Sequence, residues 1–204
     1  MAAEVVIIGG GSHGKVIADI VVKSGDRVAG FLDDGIPVGT KVLGFPVLGP
    51  IAACRDFSAH CRFIIALGSD ALRAKIASCY PDLPWYTAKH PTAATGLGIT
   101  VDEGCSLHAF SAVNPDTSIG RHSIVNTGAI VEHDCRIGAF CHIAPNAVIG
   151  GFVSIGDHVF IGLGSAVRNM LSIVGGVTIG AGSVVIGDIT EPGVYVGCPV
   201  RKIR

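Results

Sequence analysis

Two histidines stand nine residues apart in the segment VEHDCRIGAFCH, residues 131–142. Each carries an imidazole, a ring able to take up and release a proton. His133 is followed directly by Asp134. A ring beside a carboxylate is the pairing used for general-base chemistry on an incoming amine or hydroxyl, because the acid orients or polarises the base. Asn126, a short step earlier on the chain, is a second group able to orient that ring. Near the other end of the chain, GGGSHGK (residues 9–15) follows the apolar run EVVII and precedes VIADIVVKSG. A glycine loop between a strand and a helix offers backbone N–H groups and the positive end of a helix to phosphate.

The glycine loop has several readings. Gly9, Gly14 and Lys15 match a P-loop spacing, but Val16 stands where a hydroxyl should hold magnesium. Gly9, Gly11 and Gly14 also match G-x-G-x-x-G, with Asp33 and Asp34 about twenty residues on, where a ribose-binding acid belongs. Ninety residues make only half of a dinucleotide site, which leaves a mononucleotide-sized pocket or a plain tight turn. Around the loop, EVVII, RVAGFLDD and RFIIALGS read as strands, and VIADIVVKSG and DALRAKIASCY as helices. Strand, loop, helix and strand make a Rossmann-like α/β half-domain over residues 1–90.

Residues 91–204 follow a different rule. Every sixth residue from Val101 to Val185 is aliphatic, fifteen positions without a slip. Four residues beyond each lies a mainly small or medium side chain, such as Cys105, Ser111, Thr117, Ser123, Ala129, Cys135 and Cys141. Glycine follows the aliphatic residue at Gly120, Gly138, Gly150, Gly156, Gly162 and Gly180, which reads as the demand of a tight corner. The pattern describes a parallel β-helix with three six-residue sides and eighteen residues per coil. Each coil buries its core only against its neighbours. The three cysteines among the small positions read as core residues, and His108, His122 and His158 as structural or surface residues.

Composition narrows the partners. The chain has 204 residues, a net charge of −1, 15% charged residues and 29 glycines. No basic stripe is present, so nucleic acid is not expected. The N-terminal apolar run is too short for a membrane span and carries Glu4 where a signal peptide carries basic residues. Seven cysteines, with no CxxC, fit a reducing compartment. A soluble cytoplasmic protein that does not bind membranes is the expectation.

The hexapeptide pattern resembles the left-handed β-helix family, and the tail GVYVGCPVRKIR resembles the end of its acyltransferase branch. The order IIGGGSHGK, FLDD, ALGS, VNTGAIVEHDCRIGAFCHIAP and GCP resembles the bacterial sugar acetyltransferases, with their UDP-4-amino-sugar N-acetyltransferases and sialic-acid O-acetyltransferases. That resemblance implies an N-acetyltransferase that moves acetyl from acetyl-CoA to a nucleotide-linked amino sugar, most readily a UDP sugar. It implies a homotrimer with active sites between neighbouring β-helices and no metal. It places the general base at His133 with Asp134 beside it, and His142, Gly151, Leu163 and Ala181 along acetyl-CoA. Gly9, Gly11, Ser12, His13, Gly14, Asp33, Asp34 and Gly68 would line the nucleotide-sugar pocket.

Nine residues is half of an eighteen-residue coil, so His133 and His142 should point from opposite sides of one prism. Two copies are then needed to bring them together. Other readings stand beside this one: an O-acetyltransferase, a non-catalytic nucleotide-sugar-binding module, and a zinc enzyme of the γ-carbonic-anhydrase type using His122, His133 and His142.

Overall fold

The computed structural model describes residues 2–204, and the chain divides between Pro91 and Thr92 into two compact units. The first is built on five strands, β1 (Glu4–Ile8), β2 (Arg27–Leu32), β3 (Lys41–Val42), β4 (Phe45–Gly49) and β5 (Arg62–Ile65), in the order β3-β4-β2-β1-β5. All pairings are parallel except the β3–β4 hairpin at one edge. Val5 to Ile8 are fully buried, as a strand covered on both faces requires. Helix α1 (Ser12–Lys23) covers one face, burying Ile17, Ile20 and Val21 with Val5, Ile7 and Phe31. On the other face Cys54 of α2 (Cys54–Phe57) and Ile76 of α3 (Asp70–Cys79) pack with Val6, Ile8 and Phe63. The expected third strand stops at Ile65, and residues 66–69 form the loop into α3.

Two glycines make the strand–helix turn possible. Gly9 takes φ +107, which favours a residue without Cβ. At Gly14 an added Cβ would run into the Gly9 carbonyl oxygen, so α1 can sit this close only with glycine there.

The second unit is a triangular prism. One coil runs through strands Ile130–Val131, Arg136–Ile137 and His142–Ile143, on what are here the first, second and third faces. The next coil pairs parallel, eighteen residues on, with Ile130 opposite Val148, Arg136 opposite Ser154 and His142 opposite Phe160. Val131, Ile137 and Ile143 point inward and are at most 3% exposed. Withdrawing each such side chain from water is worth roughly 1.5–3 kcal/mol. The small column does more than fill space. The thiols of Cys105, Cys135 and Cys141 donate to the carbonyls of Gly120, Gly150 and Gly156 at 3.1, 3.2 and 3.1 Å, and the hydroxyls of Ser123 and Ser165 do the same for Gly138 and Gly180. Side chains thereby pair backbone acceptors that the sheet ladders leave over.

The corner glycines correct the sequence reading. Gly120, Gly138, Gly150, Gly156, Gly162 and Gly180 do not have positive φ. The left-handed corner residues are Phe110, Asp116, His122, Asp134, Phe140, Asn146, Phe152, His158 and Met170, together with other glycines. The glycines after the strands answer to space: a Cβ at Gly138 would lie 2.6 Å from the Gly156 carbonyl carbon in the coil above. Strand Gly193–Gly197 pairs with Val177–Ile179 on the third face, and Val200–Lys202 folds back antiparallel on it. Among the described residues no helix is long and apolar enough to cross a membrane.

Candidate active site

His133 and Asp134 form the corner between the first and second faces. Extended strand ends at Val131, and the chain turns through Asp134 at φ +58 before resuming at Arg136. Asp134 tolerates this conformation better than most residues. The turn presents both side chains outward, with the His133 side chain 50% exposed and Asp134 41%. His133 Nδ1 lies 2.8 Å from Asp134 Oδ2. With Nδ1–H donating to the carboxylate, Nε2 keeps its lone pair, which is the tautomer a general base needs. Gly151 lies directly above, and a Cβ there would sit 2.8 Å from His133 Cε1 and Nε2. Glycine at 151 therefore gives the ring its room. The Phe152 ring meets the imidazole edge-to-face at 5.2 Å and 88°. Asp116, Asp134, Arg136 and Phe152 line a cavity of about 300 Å³ on the second-face side of this corner.

His142 is on the third face, the one opposite that corner. Its Nε2 lies 2.9 Å from Asn126 Nδ2, while Asn126 Oδ1 accepts the Thr127 N–H at 2.8 Å. The Thr127 bond sets the amide's orientation, so Asn126 donates, His142 Nε2 accepts and Nδ1 carries the ring proton. Phe160, one coil above, meets His142 edge-to-face at 5.2 Å and 87°. Leu163 and Ala181 are stacked one coil apart on the corner that follows this face, with Gly182 N–H donating to the Leu163 carbonyl.

One expected role changes: Asn126 orients His142 and is too far around the prism to orient His133 in the same chain. Gly151, assigned with His142, Leu163 and Ala181 to acetyl-CoA, stands over His133 within one chain. His122, His133 and His142 lie on the second corner, the first corner and the third face, so one chain does not gather them as zinc ligands. Among the described residues no three His, Cys, Asp or Glu side chains converge on a metal position. His108 is fully buried with Nε2 3.1 Å from Ser106 Oγ, and His122 and His158 stack on either side of Phe140.

In the first unit a cavity of about 450 Å³ opens at the ends of the parallel strands, lined by Gly9, Asp33, Asp34, Ile51, Leu67, Lys75 and Tyr80 among others. This is where open α/β sheets bind ligands. Asp33 is largely occupied in building the loop: Oδ2 accepts the Gly10 N–H at 2.7 Å, and Oδ1 accepts those of Gly35 and Ile36 at 2.8 and 3.1 Å. Asp34 Oδ1 accepts the Ile51 N–H at 2.9 Å. Gly11, Ser12, His13 and Gly14 form the start of α1 and are not in the cavity wall, nor is Gly68. Burial, with the nearby Arg73 charge second, holds the pKa of His13 down to about 4. Arg73 is only 1% exposed and donates to the carbonyls of Leu67 and Gly68 at 3.0 and 2.8 Å, bracing the loop before α3. Nothing in the motifs singles out the α3 residues of this wall, Phe152 or Phe160. The eighteen-residue period was enough to find Phe160 above His142.

Comparison with known proteins matches residues 4–79 to the PglD N-terminal domain and residues 134–169 to the bacterial transferase hexapeptide, six repeats. The acetyltransferase domain of PglB from Neisseria gonorrhoeae FA1090, solved in complex with acetyl coenzyme A, is 31% identical with a TM-score of 0.93 over 100% of both chains. PerB from Caulobacter crescentus, solved with CoA and GDP-perosamine, is 35% identical with a TM-score of 0.92, covering 99% of this chain and 98% of that one. GDP-perosamine N-acetyltransferase of Escherichia coli O157:H7 is 28% identical over 79% of this chain and 76% of its own length.

Proposed function

Because the chain belongs to the hexapeptide-repeat sugar acetyltransferases, with their Rossmann-like first unit and left-handed β-helix, we propose that it acetylates the amine of a nucleotide-linked 4-amino-6-deoxy sugar with His133 as general base. The observation that carries this reading is the 2.8 Å contact between His133 Nδ1 and Asp134 Oδ2, which leaves Nε2 free to take a proton. The sugar amine attacks the thioester carbonyl of acetyl-CoA as Nε2 removes its proton. The resulting tetrahedral oxyanion needs a donor. Gly151, whose N–H donates to no backbone carbonyl among the described residues, stands beside the base for that role. Collapse of the intermediate expels CoA as the thiolate, which the imidazolium proton can neutralise.

His142, Leu163 and Ala181 share one side of the prism and form the acetyl-CoA side of the reading. That side belongs to a neighbouring copy, since it faces away from His133 within one chain, and a trimer supplies the neighbour. Asp34, Gly9 and Leu67 line the nucleotide cavity. Gly11, Ser12 and His13 at the α1 N-terminus are assigned to the phosphates, where helix-end N–H groups favour negative charge. The sequence reading puts UDP first among nucleotides. The relatives named for GDP-perosamine favour GDP as the second reading.

The test is thiol release from acetyl-CoA with UDP-, GDP- and dTDP-4-amino-6-deoxy sugars, for wild type and His133→Ala. One sugar should turn over rapidly, and the variant should lose at least about a hundredfold, the scale of general-base catalysis. Binding of a nucleotide sugar with no thiol release from any of them would return the chain to a non-catalytic binding module.

A further inference from the structure

Phe152 stands at a position that ordinarily disfavours it. Its φ is +59, a left-handed conformation that suits glycine, asparagine or aspartate and strains a bulky side chain. Phe140 has the same conformation, but it is 6% exposed between the rings of His122 and His158, so packing accounts for it. Phe152 is 53% exposed and gains far less from burial. What it does touch is the base: its ring meets the His133 imidazole edge-to-face at 5.2 Å, and its own N–H donates to the His133 carbonyl at 3.0 Å. It also lines the cavity that Asp134 and Arg136 share.

We propose that Phe152 is a positioning residue for His133, closing one side of the imidazole so that a single ring orientation aims Nε2 at the incoming amine. Two contacts then define the ring, Asp134 at Nδ1 and the Phe152 ring across its edge, in the space that the absent Cβ of Gly151 leaves above it. Phe110 and Met170 hold the same conformation at φ +60 and +59 with 71% and 69% exposure, so the ring contact with His133, and not the backbone, sets Phe152 apart. The inference rests on His133 being the base.

The experiment compares wild type, Phe152→Asn, Phe152→Leu and Phe152→Tyr with His133→Ala in steady-state assays with the productive sugar and acetyl-CoA. Asparagine accepts the left-handed backbone, leucine keeps apolar bulk without the ring, and tyrosine keeps the ring. Asn and Leu should each lower kcat on the order of 10–100-fold, the scale of a misplaced catalytic group. KM for both substrates should stay within about twofold, since no binding contact is removed. The Asn variant should melt no lower than wild type, and Tyr should recover most of the lost kcat. An Asn or Leu variant with wild-type kcat overturns the inference, and so does a loss confined to KM, which would make Phe152 a substrate contact. If His133→Ala itself keeps wild-type turnover, the base assignment has failed instead, and the two failures are told apart in one set of measurements.

Discussion

Asn126 Nδ2 donates to His142 Nε2 at 2.9 Å, and the pair occupies the prism face opposite the corner where His133 meets Asp134. One chain therefore carries two histidines on opposite sides of the prism, each with its own orienting residue and its own phenylalanine one coil above. If catalysis uses both, each active site is assembled from two copies.

That arrangement makes complementation the direct test. His133→Ala and His142→Ala chains should each be nearly inactive alone. Co-refolded together, they should regain a measurable fraction of wild-type thiol release, because some hybrid interfaces pair an intact His133 with an intact His142. Mixed samples as inactive as the separate ones, despite confirmed subunit exchange, would refute the shared site.

The Asn126–His142 hydrogen bond should act on the cofactor side. Asn126→Ala removes one hydrogen bond worth about 0.5–1.5 kcal/mol. KM for acetyl-CoA should rise by roughly 2- to 12-fold, with the pH dependence of kcat unchanged. A shift in the kcat profile would instead tie Asn126 to the base.

Two glycine substitutions should separate activity from stability. Gly151→Ala places a Cβ 2.8 Å from the His133 ring, which can swing away into solvent, so kcat should fall while the melting temperature holds. Gly138→Ala places one 2.6 Å from the Gly156 carbonyl carbon, backbone that cannot yield. Overpacking of this kind costs about 1–3 kcal/mol. Thermal melts and kcat on the two variants check the contrast, and equal melting losses would contradict it.

His13 should make folding stability depend on pH. Its pKa is about 4 in the folded chain against an ordinary 6.5. Between those values the unfolded chain binds the extra proton, so stability rises with pH across the window and is lost as pH falls from 6.5 toward 4. The full effect is on the order of 3 kcal/mol, at about 1.4 kcal/mol per pKa unit. Urea midpoints of wild type and His13→Gln across that range should diverge, with the variant showing the weaker slope. Parallel curves would show that His13 titrates normally.

Much of this protein was legible in the sequence because a β-helix converts separation along the chain into position in space. A period of six placed Val131, Ile137 and Ile143 inside, and half of an eighteen-residue coil put His133 and His142 on opposite sides. The first unit was read from EVVII, the glycine loop and the helix pattern, all of them local signals. Tertiary structure alone decided which atoms meet. Nearness in sequence joins Asn126 to His133, yet its amide pairs with His142, because a hydrogen bond depends on the direction a side chain leaves its face. The spacing of Asp33 from the glycine loop suits a ligand for ribose, yet its oxygens gather N–H groups from Gly10, Gly35 and Ile36 across a loop that no periodicity describes. The glycines after the strands suggest corners in sequence, whereas the close approach of the next coil requires them. Repeating local geometry can be counted along a chain. Contacts made by loops and rotamers depend on packing between distant segments, and they became visible only in the folded molecule.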